Sequence, residues 1–269
     1  MESNTRDERH GIQSIELGFL VLKALAQHGR PMMLKDLAAE TGMAPAKAHR
    51  YLVSFLRTGL VEQDRRSGRY DLGGWCLELG LAGLARLDPV RLAEPILEDL
   101  CEEIHESVAL AVWGNRGATI VRWVDAGDTI TVNLRPGAVM PLTNSATGRA
   151  FAAFHKGPAV KTMLQAELQQ NAKNSGVAVG TLRTQIEKIL TEIRKRGIAR
   201  ASGSLIPGIN GFSAPVYDYS GTMVATITSL GSVGNFDNGW DSTIALAVKA
   251  ASKALSQRLG APQQIEETA

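Results

Sequence analysis

Apolar residues recur at helical spacing through residues 14–28, where Leu17, Leu20, Val21, Ala24 and Leu25 form one stripe, and Gly29-Arg30-Pro31 ends the pattern. A short helix over 34–40 follows, with Leu34, Leu37 and Ala38 facing inward. Thr41-Gly42-Met43 breaks it before a longer helix over 45–58, whose stripe is Ala48, Leu52, Phe55 and Leu56. Pro45 falls in the first turn, where its missing N–H is no loss, and Gly59 is placed to close the helix at its C′ position. A short helix, a tight Gly-containing turn and a longer helix make a helix–turn–helix. Two strands, 60–64 and 69–73, flank the turn Arg65-Arg66-Ser67-Gly68 and predict a β-hairpin wing behind it.

The pattern then changes. Residues 74–87 are apolar nearly all round, with Trp75, Leu77, Leu79, Leu81, Leu84 and Leu87, and a helix of that kind must be covered on several sides. It is either a core helix or an inter-domain helix that packs against a second subunit; a winged domain this small has little core left to enclose it. Pro89 marks the seam. An amphipathic helix over 89–106 carries Ala93, Ile96, Leu97, Leu100 and Ile104 on one side. Strands are expected at 108–113, 118–124, 129–134, 212–217 and 222–230, and helices at 146–155, 159–169, 180–196 and 240–259. The order reads as an α+β domain on an antiparallel sheet. The domain division is a tail at 1–11, a winged helix–turn–helix at 12–73, a linker and dimerisation helix at 74–88, a second domain at 89–262 and a tail at 263–269.

Charge sharpens the first half. The 269 residues hold 29 Lys+Arg against 27 Asp+Glu, a formal +2, so no global polycation is present. Between Gly42 and Arg69, however, six cations (Lys47, Arg50, Arg57, Arg65, Arg66, Arg69) face two acids, Glu62 and Asp64; that stretch nets +4 and the remainder −2. With Ala48, Leu52 and Phe55 turned inward, Ala46, Lys47, Arg50 and Ser54 point outward on the third helix. Early residues of such a helix reach base edges, and wing arginines grip phosphate or enter the minor groove. Arg50 is the candidate for bidentate guanine readout, Arg65, Arg66 and Arg69 for the backbone, and His49, beside the buried stripe, for packing or a phosphate contact. A single arginine is more often a solvated surface charge; six on one helix and one hairpin point to double-stranded DNA.

Catalytic constellations are missing from the sequence. His10, His28, His49, His105 and His155 show no metal-ligand spacing, and no nucleophile elbow or P-loop occurs. Cys76 and Cys101 cannot form a disulfide framework. No cofactor, metal site or enzymatic activity is expected. The polar N-terminus has no apolar signal core and no run approaches a membrane span, so a cytoplasmic location is expected. Two rivals stay open: an enzyme or sensor with an appended winged domain, and a module whose winged domain binds protein. Steep salt dependence separates DNA binding from the latter.

The motifs resemble the IclR family of bacterial transcriptional regulators. Leu34-Lys35-Asp36-Leu37-Ala38, Thr41-Gly42-Met43, Ala48-His49-Arg50-Tyr51-Leu52 and Gly68-Arg69-Tyr70-Asp71-Leu72-Gly73 follow the family's winged domain. The run from Pro141 to Ala150 (PLTNSATGRA) and that from Gly211 to Asp218 (GFSAPVYD) are similar to its second domain. The resemblance spans about residues 12–260. It implies a curved, GAF/profilin-like sheet that binds a small organic effector, and a homodimer or tetramer. By the same resemblance the effector meets Ala146 and Thr147 on the loop, Ile209, Asn210 and Gly211 on the incoming segment, and Thr228 and Leu230 on the final strand. Trp113 and Trp123, on adjacent strands, either fill the core or line the pocket. The family's Ser-Thr pair in the recognition helix is replaced by Ala46-Lys47. Its carboxylate-binding Cys, Ser and acid are replaced by Gly211, Leu230 and Ala201, which implies a less polar pocket suited to an aromatic or similar catabolic acid.

Overall fold

The computed structural model describes residues 11–127 and 134–262. The expected tails, save Gly11, and the expected strand at 129–134, save Leu134, lie outside the described residues. The chain divides into two compact units, Met1–Leu87 and Asp88–Ala269.

In the first unit α1 (Gln13–His28), α2 (Leu34–Glu40) and α3 (Pro45–Thr58) are followed by β1 (Val61–Gln63), β2 (Tyr70–Leu72) and α4 (Gly74–Leu84). Val21, Leu25, Leu37, Ala48, Leu52, Val61 and Tyr70 share one core, so the predicted stripes do converge. Val21, Ala24 and Leu25 of the expected α1 stripe are buried, but Leu20 is 41% exposed, and Gly18, which the stripe did not include, is buried. Phe55 and Leu56 pack only partly buried at the margin of the core. Gly59, at φ +75°, ends α3 with its N–H on the carbonyls of Leu56 and Phe55, the left-handed cap that the sequence predicted. Strands β1 and β2 pair antiparallel, Val61 opposite Leu72 and Gln63 opposite Tyr70. A reciprocal bridge, Met32 N–H to the Tyr70 carbonyl (2.9 Å) and Tyr70 N–H to the Met32 carbonyl (2.8 Å), ties the hairpin to the α1–α2 connection.

Helix α4 stops at Leu84 and has no buried residue. Trp75, Leu77, Leu79 and Leu81 are all about half exposed or more, so the core-helix alternative is not met in the first unit. Cys76 is half-buried rather than core, its thiol donating to the Leu60 carbonyl; burial pushes both cysteine thiols up.

The second unit runs α5 (Pro89–Ile104), β3 (Ser107–Gly114), β4 (Gly117–Val124), α6 (Ala146–Phe154), α7 (Pro158–Ser175), α8 (Val179–Arg196), β5 (Ala199–Ser202), β6 (Ile209–Tyr217), β7 (Met223–Ser232) and α9 (Thr243–Arg258). Its antiparallel sheet has the order β4-β3-β7-β6-β5. Bulges at Leu110/Ala111 and Val216/Tyr217 bend the strands. Helix α6 packs on one face through Phe151, against Ala109, Ala111 and Ile120. Helices α5 and α9 pack together on the other, where Val108, Leu110, Phe212 and Ile227 are buried. Strand β5 was not anticipated from sequence, α7 runs six residues beyond the expected end at 169, and α9 begins at Thr243 rather than 240.

Gly73 lies where an added Cβ would meet the Gly59 carbonyl oxygen at 2.2 Å. Gly73→Ala is expected to destabilise the first unit by about 1–3 kcal/mol, read as lost hydrogen-exchange protection of the α3 amides in the full chain. Unchanged protection would show that the β2–α4 corner has room to give.

Candidate nucleic-acid interface and effector face

The turn that presents α3 is built locally. Gly42, at φ +63°, takes the left-handed position, Thr41 donates its hydroxyl to the Leu37 carbonyl at 2.7 Å, and Met43 returns its N–H to Ala38 at 2.9 Å and is buried. Only Ala48 and Leu52 of α3 are fully buried. The side chains of Ala46, His49, Arg50, Ser54 and Arg57 are therefore exposed and that of Lys47 half-exposed. His49 thus stands in solvent rather than packing. Ser54 bonds back to the Arg50 carbonyl at 3.2 Å. The helix has no acid in its first turn and no side-chain cap, so its N-terminal amides and dipole present positive potential.

The wing tip is organised by Asp64. Its carboxylate accepts the Arg66 N–H (2.9 Å), the Ser67 N–H (3.4 Å) and the Ser67 hydroxyl (2.7 Å). The Arg66 amide, then the Ser67 hydroxyl, hold that carboxyl below its usual range. The acid of the tip directs its hydrogen bonds to its own turn and forms no ion pair with Arg65 or Arg66. Arg122–Glu94, Arg194–Glu187 and Arg196–Glu192 form ion pairs in the second unit; among the described residues no ion pair involves α3 or the wing. Arg69 differs from its neighbours: its guanidinium donates to the Pro31 carbonyl at 3.2 Å and braces the wing against the unit.

In the second unit the predicted effector residues divide between the sheet faces. Register places Trp123, Ala109, Thr228, Ser213 and Ala199 in one row across the sheet. Thr147, in the first turn of α6, joins that row: its hydroxyl lies 2.9 Å from that of Thr228, which donates to Ser213 at 2.8 Å. All three are buried, and on the same face the Thr226 hydroxyl is buried without a hydrogen-bond partner among the described residues. Ile209, Gly211 and Leu230 share this face by alternation. Leu230 fills the space beside Gly211, where a Cβ would meet its Cδ2 at 2.6 Å. Asn210 turns to the opposite face, where its side-chain oxygen accepts from Ser202, which in turn accepts from Asn238; it does not join the row. Trp113 lies on the α6 face farther along the sheet, its ring 5.5 Å from those of Phe151 and His155. Both tryptophans are partly buried against the core beneath α6.

The loop before α6 is clamped by residues that sequence reading missed. Glu167 of α7 accepts the N–H groups of Leu142 (2.8 Å) and Thr143 (2.9 Å) and the Thr143 hydroxyl. Ser145 caps α6 at the Gly148 N–H and donates to the Pro141 carbonyl. Arg149 donates to the Thr143 and Arg200 carbonyls. Gly148 permits this closeness, since a Cβ there would sit 1.9 Å from the Pro141 oxygen. Ser213 and Thr226 were also missed; the small polar residues alternating with apolar ones along β6 and β7 were the available signal.

A recognition helix, a wing and a separate α+β domain with a hydroxyl-lined buried face define a DNA-binding transcriptional regulator with an effector domain. Residues 14–65 match the model of the IclR helix-turn-helix domain, and residues 82–257 that of the bacterial transcriptional regulator IclR C-terminal domain. The chain belongs to the IclR family of transcriptional regulators. It is 30% identical over 252 residues, 93% of this chain and 97% of the relative, to a glycerol operon regulatory protein of Streptomyces coelicolor. Its fold is similar to that of HmgR of Pseudomonas aeruginosa, at 34% identity and TM-score 0.82, covering 94% of this chain and 100% of that one. An IclR homolog from Microbacterium hydrocarbonoxydans, solved with 4-hydroxybenzoate, shares the fold at 18% identity and TM-score 0.52, covering 91% and 98%.

Glu167→Ala would strip two buried-side amides of their acceptor, at about 1–3 kcal/mol for each group left unpaired. The expected result is a lower unfolding free energy and faster hydrogen exchange at Leu142 and Thr143, while the amides of α3 are unaffected. Unchanged exchange at the loop would remove Glu167 from its role as the clamp.

Proposed function

We propose that the chain acts in the cytoplasm as a non-enzymatic, self-associating regulator that reads a pseudo-palindromic operator with α3 and the wing and answers to a small organic acid at the α6 face. The observation that carries the DNA reading is the concentration of exposed arginines on α3 and the wing tip, none of them in an ion pair among the described residues. Arg50 and Lys47 stand in the first half of the recognition helix, in reach of base edges; Arg65 and Arg66 lie on the wing tip and serve phosphate. Arg69 supports the wing.

Self-association follows from α4 and α1. Leu77, Leu79 and Leu81 are exposed by 54–65%, and Ile12, Ile15 and Phe19 by 63–66%. A monomer seldom leaves so many large apolar side chains of two helices to water, and full burial of each such side chain is worth about 1.5–3 kcal/mol. A two-fold assembly would present two recognition helices to half-sites spaced roughly one helical turn, about 10–10.5 bp, or a multiple of it.

For the effector, the buried hydroxyls of Thr147, Ser213, Thr226 and Thr228 offer neutral hydrogen bonds, and Trp113 and Trp123 offer an aromatic surface near them. That chemistry suits an aromatic acid, and the 4-hydroxybenzoate held by the Microbacterium homolog is of that class. Binding alters operator affinity to the extent that the ligand distinguishes the DNA-competent arrangement from the other.

Arg50→Ala is expected to cost about 1–3 kcal/mol of operator affinity and to relax preference at one base pair, whereas Arg65→Ala weakens all sequences alike. Fluorescence anisotropy against operator and scrambled DNA reads both. Equal losses for both variants on both DNAs would remove Arg50 from base readout. Leu81→Asp should lower the oligomer mass in sedimentation; an unchanged mass would exclude α4 from the interface.

A further inference from the structure

Two buried hydroxyls on the α6 face end without an acceptor. Thr228 gives its one hydroxyl hydrogen to Ser213 at 2.8 Å, so the 2.9 Å contact between Thr147 and Thr228 is donated by Thr147. The donors therefore run from α6 through β7 to β6 and stop at Ser213, whose own hydrogen finds no acceptor among the described residues. Thr226, two residues before Thr228 on the same face, is 0% exposed, and its hydroxyl has no partner among the described residues.

Register sets what surrounds this pair. Thr226 stands opposite Ala111 on β3 and Pro215 on β6, and Ser213 is its diagonal neighbour across the β6–β7 pair. Diagonal positions on one face lie about 7–8 Å apart, close enough for one oxygen between the two side chains to accept from both. Strand β3 turns Val108, Leu110 and Val112 to the other face but Ala109 and Ala111 to this one, which leaves the sheet low beside the two threonines. The rows of Trp123, paired with Ala109, and of Trp113, two residues beyond Ala111, flank the row of Thr226.

Valine has the shape of threonine and suits a strand equally well, and at position 226 it would remove the cost of burying an unpaired hydroxyl. The Ser229 hydroxyl is also buried without a partner, but on the opposite face, in a row with Val108, Phe212 and Arg200 that holds no second hydroxyl. Thr226 differs in sharing its face with the hydroxyl chain and both tryptophans.

We propose that Thr226, with Ser213, sets the specificity of the effector face: the two hydroxyls donate to a second oxygen of the ligand, a hydroxyl or carbonyl away from its carboxylate. The inference rests on the reading of the α6 face as the effector site and adds which acids that site selects. Two neutral donors beside alanine and proline suit an uncharged oxygen, since a carboxylate would lose its water there with no cation in the row. Both hydroxyls are unpaired before binding, so a ligand oxygen gains their bonds without breaking any. An acid lacking that oxygen leaves both unpaired.

Isothermal titration of the full chain with benzoate, 3-hydroxybenzoate and 4-hydroxybenzoate tests the proposal. At least one hydroxybenzoate is expected to bind about tenfold tighter than benzoate, or more. Thr226→Val should bring that preference below about twofold while keeping the affinity for benzoate and not lowering the thermal midpoint. Thr226→Ser and Ser229→Ala should both keep the preference. Benzoate bound as tightly as the hydroxybenzoates, a preference that survives Thr226→Val, or one lost in Thr226→Ser would each overturn the assignment and leave the aromatic-acid reading standing. A midpoint lowered by Thr226→Val would also overturn it, since the hydroxyl would then have a partner inside the protein. No binding of any of the three acids is the separate result that removes the aromatic-acid reading, and this inference with it.

Discussion

Burial of Ala48 and Leu52 fixes the rotation of α3, and the exposed cationic surface depends on it. The two side chains lie four residues apart and are the only fully buried residues of the helix. Once they are held against Val21, Leu37 and Val61, the exposure of Arg50, Ser54 and Arg57 follows from helical geometry. The Thr41–Met43 turn sets where the helix starts and the bridge from Met32 to Tyr70 sets where the wing stands. Neither contact involves a charged side chain, so the apolar core positions the cations and leaves their charges available.

The second unit uses a different means to the same end. The face proposed for the effector is made of hydroxyls too short to position themselves, so the backbone around them is held from outside: Glu167 grips the loop from α7, Arg149 ties it to β5, and Gly148 lets α6 approach Pro141. Thr147 is thereby brought to Thr228. An exposed apolar helix in one unit and a pre-built polar face in the other are the features expected of a regulator that works as an assembly and responds to a solute.

Much of this was legible in the sequence because the strongest signals are local. The period of the apolar stripes, the glycines at 42 and 59 and the cation cluster placed α2, α3 and the wing, and the observed elements agree with those expectations. What the sequence concealed was set by tertiary pairing. Residues 199–202, Ala-Arg-Ala-Ser, alternate over only four positions with no β-branched or aromatic residue, and become β5 by pairing with Ser213 and its neighbours. Leu20 fits the α1 stripe by spacing yet lies outside the core because its side of the helix is not covered. Asn210 and Gly211 are adjacent in sequence and were grouped together, but strand alternation sends them to opposite faces. The Glu167 clamp joins residues about 25 apart, which no local pattern announces.

The central claim is that uncompensated charge on one helix and one hairpin tip is shaped for duplex DNA. It is tested most directly by the dependence of promoter-fragment affinity on salt. Each phosphate contact contributes about −0.9 to the slope of log affinity against log salt concentration. A dimer using Arg65 and Arg66 of both copies on phosphate should therefore give a slope of about −3.6, for on the order of four contacts. A slope near zero, or no preference for any promoter fragment over random DNA at low salt, would contradict the account.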